Sequence, residues 1–406
     1  MASNRNPLKD QVAIVGIGAA PFSRHSNRSL LDLGLEAAVN AIKDAGIDKG
    51  QIDGICGTGL GVMQTHNAGV LSLTGALGLP ELSWAMNGWL GSQIVYSAEA
   101  VFAGTCDYCL IVQAEHRVPA WSASAANDPF RVRASNLGKS VASPGTSEVF
   151  DHYSEGWIHS GEPYAAYMNW YLDKFGVPRE MLGMMAINNR QWASQNPAAA
   201  MREPFTMDDY MSARMIRSPL GLLDLDLPID AAEAMVITTA DRAKDLPNKP
   251  VYIHALSLGQ ARVSEYYENA VWGEQAPWKA FANLWKRSDI QREDIDLFYP
   301  YDGYTPTMVG HTEAAGFAPT GELWGLFQDS WDEGRQKLKL NGRTEVHTGG
   351  GSLSHGRLGG FNYYSEAVKQ LRGQAEGDRQ VPGATTALFG IGSFFHDPAA
   401  VIFRAD

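Results

Sequence analysis

Three cysteines in a chain of 406 residues are too few for a disulfide scaffold and fit a reducing cytoplasm. No apolar run approaches the roughly 20 residues that cross a bilayer, and the opening MASNRNPLKDQ lacks the apolar core of a secretory signal. Basic charge is in deficit. A formal net charge of -12 argues against nucleic acid or an anionic membrane as a partner, so an anionic ligand would need a local basic patch or helix N-termini. Nucleotide loops are absent too: there is no G-x-x-x-x-G-K-[S/T], and GIGAAPF lacks a third glycine in step. Neither His-Glu-x-x-His nor G-x-S-x-G occurs. Cys106 and Cys109 form a Cys-x-x-Cys without a second ligand pair, and read as small buried residues leading into a strand.

Hydrophobic residues, at 45%, are ample for a core. Val12 to Phe22 is a continuous apolar run of the kind that makes a strand buried on both faces. Ser29 can cap a helix with Asp32 three residues on, and Leu31, Leu35, Ala38, Ile42 and Ala45 share a helical face up to Gly46. A short strand is expected over Ile52 to Cys56. The phrase AGIDKGQIDGI from Ala45 returns as SDIQREDIDLF from Ser288, with Ile47, Ile52 and Asp53 matched by Ile290, Ile295 and Asp296. A weaker echo, helix then glycine turn then strand, starts at Ser97 and again at Ser365. Two echoes in one order point to a duplication, and alternating strand and helix to parallel-rich sheets. The halves are 1–250 and 251–406. Between the repeats, 117–230 is an aromatic-rich insertion carrying Trp121, Trp157, Trp170 and Trp192, with a helix near Glu180 to Gln195, and is expected to lie over the body.

Four glycine-rich or polar strings follow strands, where open α/β sheets bind ligands. They are Asn87 to Ser92, Tyr301 to Pro306, His347 to Gly360 and Gly390 to Pro398. Together with VAIVGIG, FAGTCDYCLIV and above all GGGSLSHGRLGGFNYYSEAVKQLRG, they resemble the thiolase superfamily over essentially the whole chain, in particular its sterol-carrier-protein-x thiolase-like branch. The resemblance implies a thiolase fold: two βαβαβαββ halves in a five-layer α/β/α/β/α sandwich. The thiolase chemistry is missing. NGWLGS stands where that family opens a helix with its nucleophilic cysteine, and Tyr301-Asp302-Gly303-Tyr304 stands in place of Asn-Glu-Ala-Phe. The Gly-His-Pro histidine aligns with Arg357, and the last-loop Cys-x-Gly with Gly390-Ile391-Gly392. Without a thiolate the usual acyl-enzyme cannot form.

YDGYTP is similar to the Tyr-Asp-x-Phe-Thr-Pro of the cysteine-less steroid side-chain retro-aldolases. That likeness implies cleavage of a β-hydroxyacyl-CoA between Cα and Cβ, with no cofactor beyond the substrate's coenzyme A. It also implies a small partner with an OB fold and zinc ribbon, and a catalytic tyrosine at Tyr301; a second family tyrosine falls at Arg357. Such a reaction needs a base for the β-hydroxyl, donors for the enolate and an acid for Cα. Tyr301 is the first candidate for proton transfer, with Arg357 to lower its pKa. His347 or His355 can be the base, and Tyr304 shares the loop. Gly350, Gly351 and Gly88 offer backbone donors. Arg357 can bind a carboxylate or CoA phosphates, and His396 is a further binding candidate. The resemblance also implies a homodimer that pairs through the strand after the third helix, here CLIVQA from Cys109, and so apolar an edge is a pairing hazard unless covered. A thiolase-type acyltransferase with an unrecognised nucleophile, and a catalytically silent subunit, remain as alternatives.

Overall fold

The computed structural model describes residues 6–24, 26–57, 70–88, 90–115, 162–259, 272–394 and 398–406. The first half runs β1 (Val12–Ser23), α1 (Leu30–Ala45), β2 (Gly54–Gly57), α2 (Val70–Leu77), β3 (Trp84–Asn87), α3 (Ser92–Phe102) and β4 (Tyr108–Glu115). After helices α4 (Glu162–Phe175), α5 (Glu180–Ser194) and α6 (Met207–Ser212) and the hairpin β5 (Met215–Arg217) and β6 (Leu220–Gly221), it closes with β7 (Asp230–Thr239). The second half repeats the order: β8 (Val251–Leu258), α7 (Ala276–Trp285), β9 (Leu297–Pro300) and α8 (Thr305–Ala314) come first. Next are α9 (Leu323–Ser330), β10 (Trp331–Asp332), β11 (Lys337–Leu340) and β12 (Thr344–Val346), then α10 (Phe361–Arg372), β13 (Thr386–Ile391) and β14 (Ala399–Arg404).

Strand order makes the duplication visible. β12-β9-β13-β14-β8 is mirrored by β3-β2-β4-β7-β1, and the two meet where β1 and β8 pair over Ala13–Tyr252 and Ile14–Val251. The duplicated phrase folds the same way twice. Asp48 and Gln51 box the 3-10 turn before β2, and Gln291 and Asp294 box the one before β9. Asp53 then accepts the Asp107 and Tyr108 amides at the start of β4, and Asp296 those of Thr385 and Thr386 at the start of β13. Ile52 caps its turn rather than starting the strand, so β2 begins two residues later than expected, and Ile295 does likewise before β9. Alternate strand residues serve different layers. Val12 and Ile14 face the central layer with α3 and α10, whereas Ala13 and Val15 face α1 and α2. Phe298 and Leu388 face α7 and α8 on the far side. The result is five layers, α/β/α/β/α.

Ser29 caps α1 by accepting the Asp32 amide, and Gly46 ends it in the left-handed region. Its contact face differs from the expected one. Ala38, Ile42 and Ala45 are buried as expected, but Leu31 and Leu35 are only half-buried, and Leu33, Ala37 and Ala41 are buried in addition. The cause is close approach: a Cβ on Gly16 or Gly18 of β1 would lie 2.2 Å from Ala41 backbone atoms. Only small residues fit a helix held that near.

Two expectations are tested by the sheet. β4 pairs with both β2 and β7, so CLIVQA is an interior strand and cannot be the dimer edge; its apolar run reflects burial on both faces. Cys56, Cys106 and Cys109 are all free and buried. Burial pushes the Cys56 thiol up to about 12 and raises Cys109 as well, which opposes the thiolate a nucleophile needs. Replacing all three by alanine is expected to leave turnover largely intact, with stability losses of about 1 kcal/mol or a few per site. Loss of turnover in a folded triple variant would reinstate a cysteine nucleophile.

Candidate active site

The strings singled out in the sequence start at the carboxyl ends of β3, β9, β12 and β13. Four separated segments are stitched together there. The Tyr301 amide donates to Gly390 at 2.7 Å and the Asp226 amide to Gly303 at 3.1 Å. The Leu227 amide donates to Ser352 at 2.9 Å, and the Arg357 amide returns to Leu227 at 2.9 Å. Residues 225–227 thus form a seam between the YDGYTP loop and the glycine run.

Asp302 is the hub of that seam. It is fully buried and accepts the Ser352 amide at 2.7 Å, the Leu353 amide at 3.0 Å and Asn189 Nδ2 at 2.7 Å. The Tyr363 hydroxyl also donates to it, and Ser352 Oγ lies 2.5 Å from that hydroxyl. The amides come from a π-helical turn, Gly351–His355, entered through Gly350 at φ 99 and Gly351 at φ 59. A Cβ on Gly351 would sit 2.1 Å from Asp302 Oδ2. Gly351→Ala therefore combines a left-handed strain of about 1–3 kcal/mol with displacement of the carboxylate. Gly373, at φ 72 with nothing near its Cβ, isolates the backbone part. Denaturation midpoints should fall further for Gly351→Ala than for Gly373→Ala, and only the former should reduce turnover.

A second group lies beside it. Arg357 Nε donates to Glu115 Oε2 at 3.3 Å, and its Nη1 is 3.7 Å from Asp226 Oδ1. Burial raises both carboxyls against the pull of Arg357, and Asp226 reaches about 7, helped by the like charges of Glu115 and Asp302. Tyr301 feels the same four residues. Burial, then Asp226 and Glu115, push its phenol well above 10, and Arg357 only offsets part of this. Arg357 does pull the phenol down as expected, but burial and the carboxylates outweigh it, so the expected net lowering is corrected and Tyr301 stays a phenol. Its pairing with the two carboxylates means that Arg357 does not stand free for a substrate anion.

Other candidates fall differently. His347, at φ 53, is held with Nε2 2.6 Å from the Pro300 carbonyl and packs edge-on to Tyr363; burial lowers its pKa, so the ring is neutral. Asp302 Oδ1 is 4.0 Å from its Nε2. His355 is pushed down to about 3 by burial and lies on Phe22 at 4.2 Å, and the charges acting on it are Glu366, Lys369 and Arg379 rather than the Tyr301 group. The Gly350 amide is taken by His347 O and the Gly88 amide by Gly57 O, so neither is free to hold an enolate. Tyr304 stacks on Tyr164 of α4 at 4.7 Å, so the insertion covers this loop. His396, Trp121 and Trp157 lie outside the described residues. Among the described residues, no group of three His, Cys, Asp or Glu is placed to hold a metal ion, and no helix is long and apolar enough to cross a membrane.

The sequence reading passed over Asp226, Glu115, Asp302, Asn189 and Tyr363. Asp302 was within reach, since it sits inside YDGYTP. Asp226 is one of three aspartates in LLDLDLPID; Asp224 and Asp230 are more deeply buried than it is, and nothing local marks the one that meets Arg357. An open depression of about 430 Å³ beside Asp53, Asp107 and Arg242 lies at the opposite, amino ends of the strands, and its Asp107–Arg242 pair is already formed at 2.8 Å.

Residues 269–405 match the family described as thiolase C-terminal domain-like. The chain is 29% identical over 376 residues to the 17-hydroxy-3-oxo-4-pregnene-20-carboxyl-CoA lyase of Mycobacterium tuberculosis, covering 90% of this chain and 92% of that one. It is 27% identical over 377 residues to a steroid side-chain-cleaving aldolase of Thermomonospora curvata, covering 90% and 91%. The solved Ltp2-ChsH2(DUF35) aldolase superposes with a TM-score of 0.84 at 25% identity, covering 98% of this chain and 99% of that one. The architecture is the thiolase fold.

Proposed function

We propose that this thiolase-fold chain is a carbon-carbon lyase that cleaves a β-hydroxyacyl-CoA by retro-aldol chemistry, releasing a ketone or aldehyde and a shorter acyl-CoA in steroid or related side-chain catabolism. The observation that carries the reading is the cluster of Tyr301, Asp226 and Glu115 around Arg357 at the strand ends, in a fold whose three cysteines are buried thiols. Environments that push two titratable groups apart assign a base and an acid. Relatives named as lyases and aldolases support it.

In this reading ionised Asp226 takes the β-hydroxyl proton. The O–H pair becomes the carbonyl of the departing product, the Cα–Cβ bond breaks, and its electrons reach the thioester oxygen as an enolate. Tyr301 gives its proton to Cα, Arg357 steadies the transient phenolate, and protonated Asp226 returns the proton to Tyr301. The balance is one proton moved from oxygen to carbon. Nothing is oxidised, and the scheme draws on no cofactor besides the substrate's coenzyme A. Asp302, Tyr363 and the π-turn amides hold the loop that carries Tyr301. The halves, 1–250 and 251–406, act as one body, with the site at their shared strand ends. Three free cysteines support a reducing cytoplasm.

A homodimer is proposed at β3, which ends the sheet among the described residues and exposes Met86. Sedimentation showing a stable monomer at micromolar concentration would count against it. A small OB-fold and zinc-ribbon partner is proposed on the example of the two-component Ltp2-ChsH2(DUF35) aldolase. The test of function is mass spectrometry of products from a panel of β-hydroxyacyl-CoAs, with and without a co-expressed partner. A ketone or aldehyde in equal amount with a shortened acyl-CoA is expected. Acyl transfer to protein, or no turnover in either case, would overturn the reading.

A further inference from the structure

We infer that Glu115 is a positioning residue for the proton carrier Asp226, acting by sharing the Arg357 guanidinium with it. The inference rests on the reading of Asp226 as the base.

Glu115 ends β4, opposite Ala231 of β7, and is half-buried at the carboxyl end of the sheet. Both its oxygens are engaged. Oε1 accepts from Gln113 Nε2 at 3.1 Å, and Oε2 accepts from Arg357 Nε at 3.3 Å. Gln113 is itself fixed, because Gln93 Nε2 donates to its Oε1 at 2.9 Å and to the Gly88 carbonyl at 3.1 Å. Gln93 and Gln113 are each 1% exposed, so this amide pair is a rigid support rather than a solvated one. The far side of the fork meets Asp226 at a looser 3.7 Å.

The charges facing Asp226 are Arg357, Glu115 and Asp302, with the Tyr301 phenol beside them. Glu115 acts on Asp226 in two ways with one sign. Its own charge opposes ionisation of Asp226, and its hold on Nε draws the cation away. Burial is the largest influence raising Asp226; a directly opposed Arg357 would offset more of it, whereas divided between two carboxylates it leaves Asp226 close to the working pH.

The experiment titrates Asp226 by infrared difference spectroscopy of its carboxyl stretch, assigned by its loss in Asp226→Asn, so the readout does not depend on turnover. Glu115→Gln is expected to move the midpoint down by about one pH unit and Arg357→Gln to move it up. In parallel, the acid limb of kcat/KM should move with Glu115→Gln and vanish in Asp226→Asn. A Glu115 of merely structural importance would lower the plateau at every pH and leave the limb in place. An unmoved midpoint in Glu115→Gln overturns the inference; should that variant not fold, an unmoved midpoint in Arg357→Gln does so. A limb that survives in Asp226→Asn overturns the base assignment instead.

Discussion

Tyr301→Phe is expected to lower kcat by about 10²–10⁴-fold, the usual loss when a general acid or base is removed. The substitution deletes one oxygen and keeps the ring, which packs on the central core layer beside Gly303. Folding should survive, and a denaturation midpoint near that of the unaltered chain would confirm it. Tyr304→Phe is the control on the same loop. Tyr304 stacks through its ring on Tyr164, an interaction phenylalanine keeps. Its loss should be far smaller. Equal, small effects from both would make Tyr301 a strand-end residue and remove the acid from the mechanism. Because burial and the neighbouring carboxylates hold the phenol well above 10, no fall in rate from Tyr301 ionisation is expected at ordinary alkaline pH.

Asp226→Asn should cost a comparable about 10²–10⁴-fold near neutral pH, and its signature is the pH profile. A base near 7 must be ionised to work, so kcat/KM should rise through about pH 7 and level off above it. The asparagine variant should show no such limb. Stability should respond with the opposite slope. The folded-state pKa of Asp226 lies above its unfolded value near 4, so the native state binds more protons between those values. Its contribution is fully present below the unfolded pKa and is lost as pH rises through about 7. Asp226→Asn should flatten that part of the stability curve. A variant with an unchanged rate profile would move the base to another group, with neutral His347 next in line.

Much of the architecture was legible because repetition survives in local signals. The capping boxes before β2 and β9 and the paired aspartates Asp53 and Asp296 are short-range devices, each read from a few residues. Helical period places Ala38, Ile42 and Ala45 in the core but not Leu33, Ala37 and Ala41, because the approach of Gly16 and Gly18 is a property of packing. CLIVQA is an interior strand although the resemblance implies a pairing edge there, and its apolar run signals burial without saying what stands on either side. Cysteine absence from NGWLGS was a sufficient clue against the thiolase reaction.

By itself, then, the sequence determined the two-half α/β plan, the missing thiolate and the loop on which Tyr301 stands, since these depend on composition, spacing and local hydrogen bonding. Only the tertiary structure decided which groups carry charge and where. Glu115, Asp226, Asp302 and Arg357 come from four separate segments, and Glu115 and Arg357 meet across 242 positions. Burial by all of those segments together raises Asp226 to about 7 and holds Tyr301 as a phenol, and a pKa set by desolvation and through-space charge has no counterpart in the residues next to it along the chain.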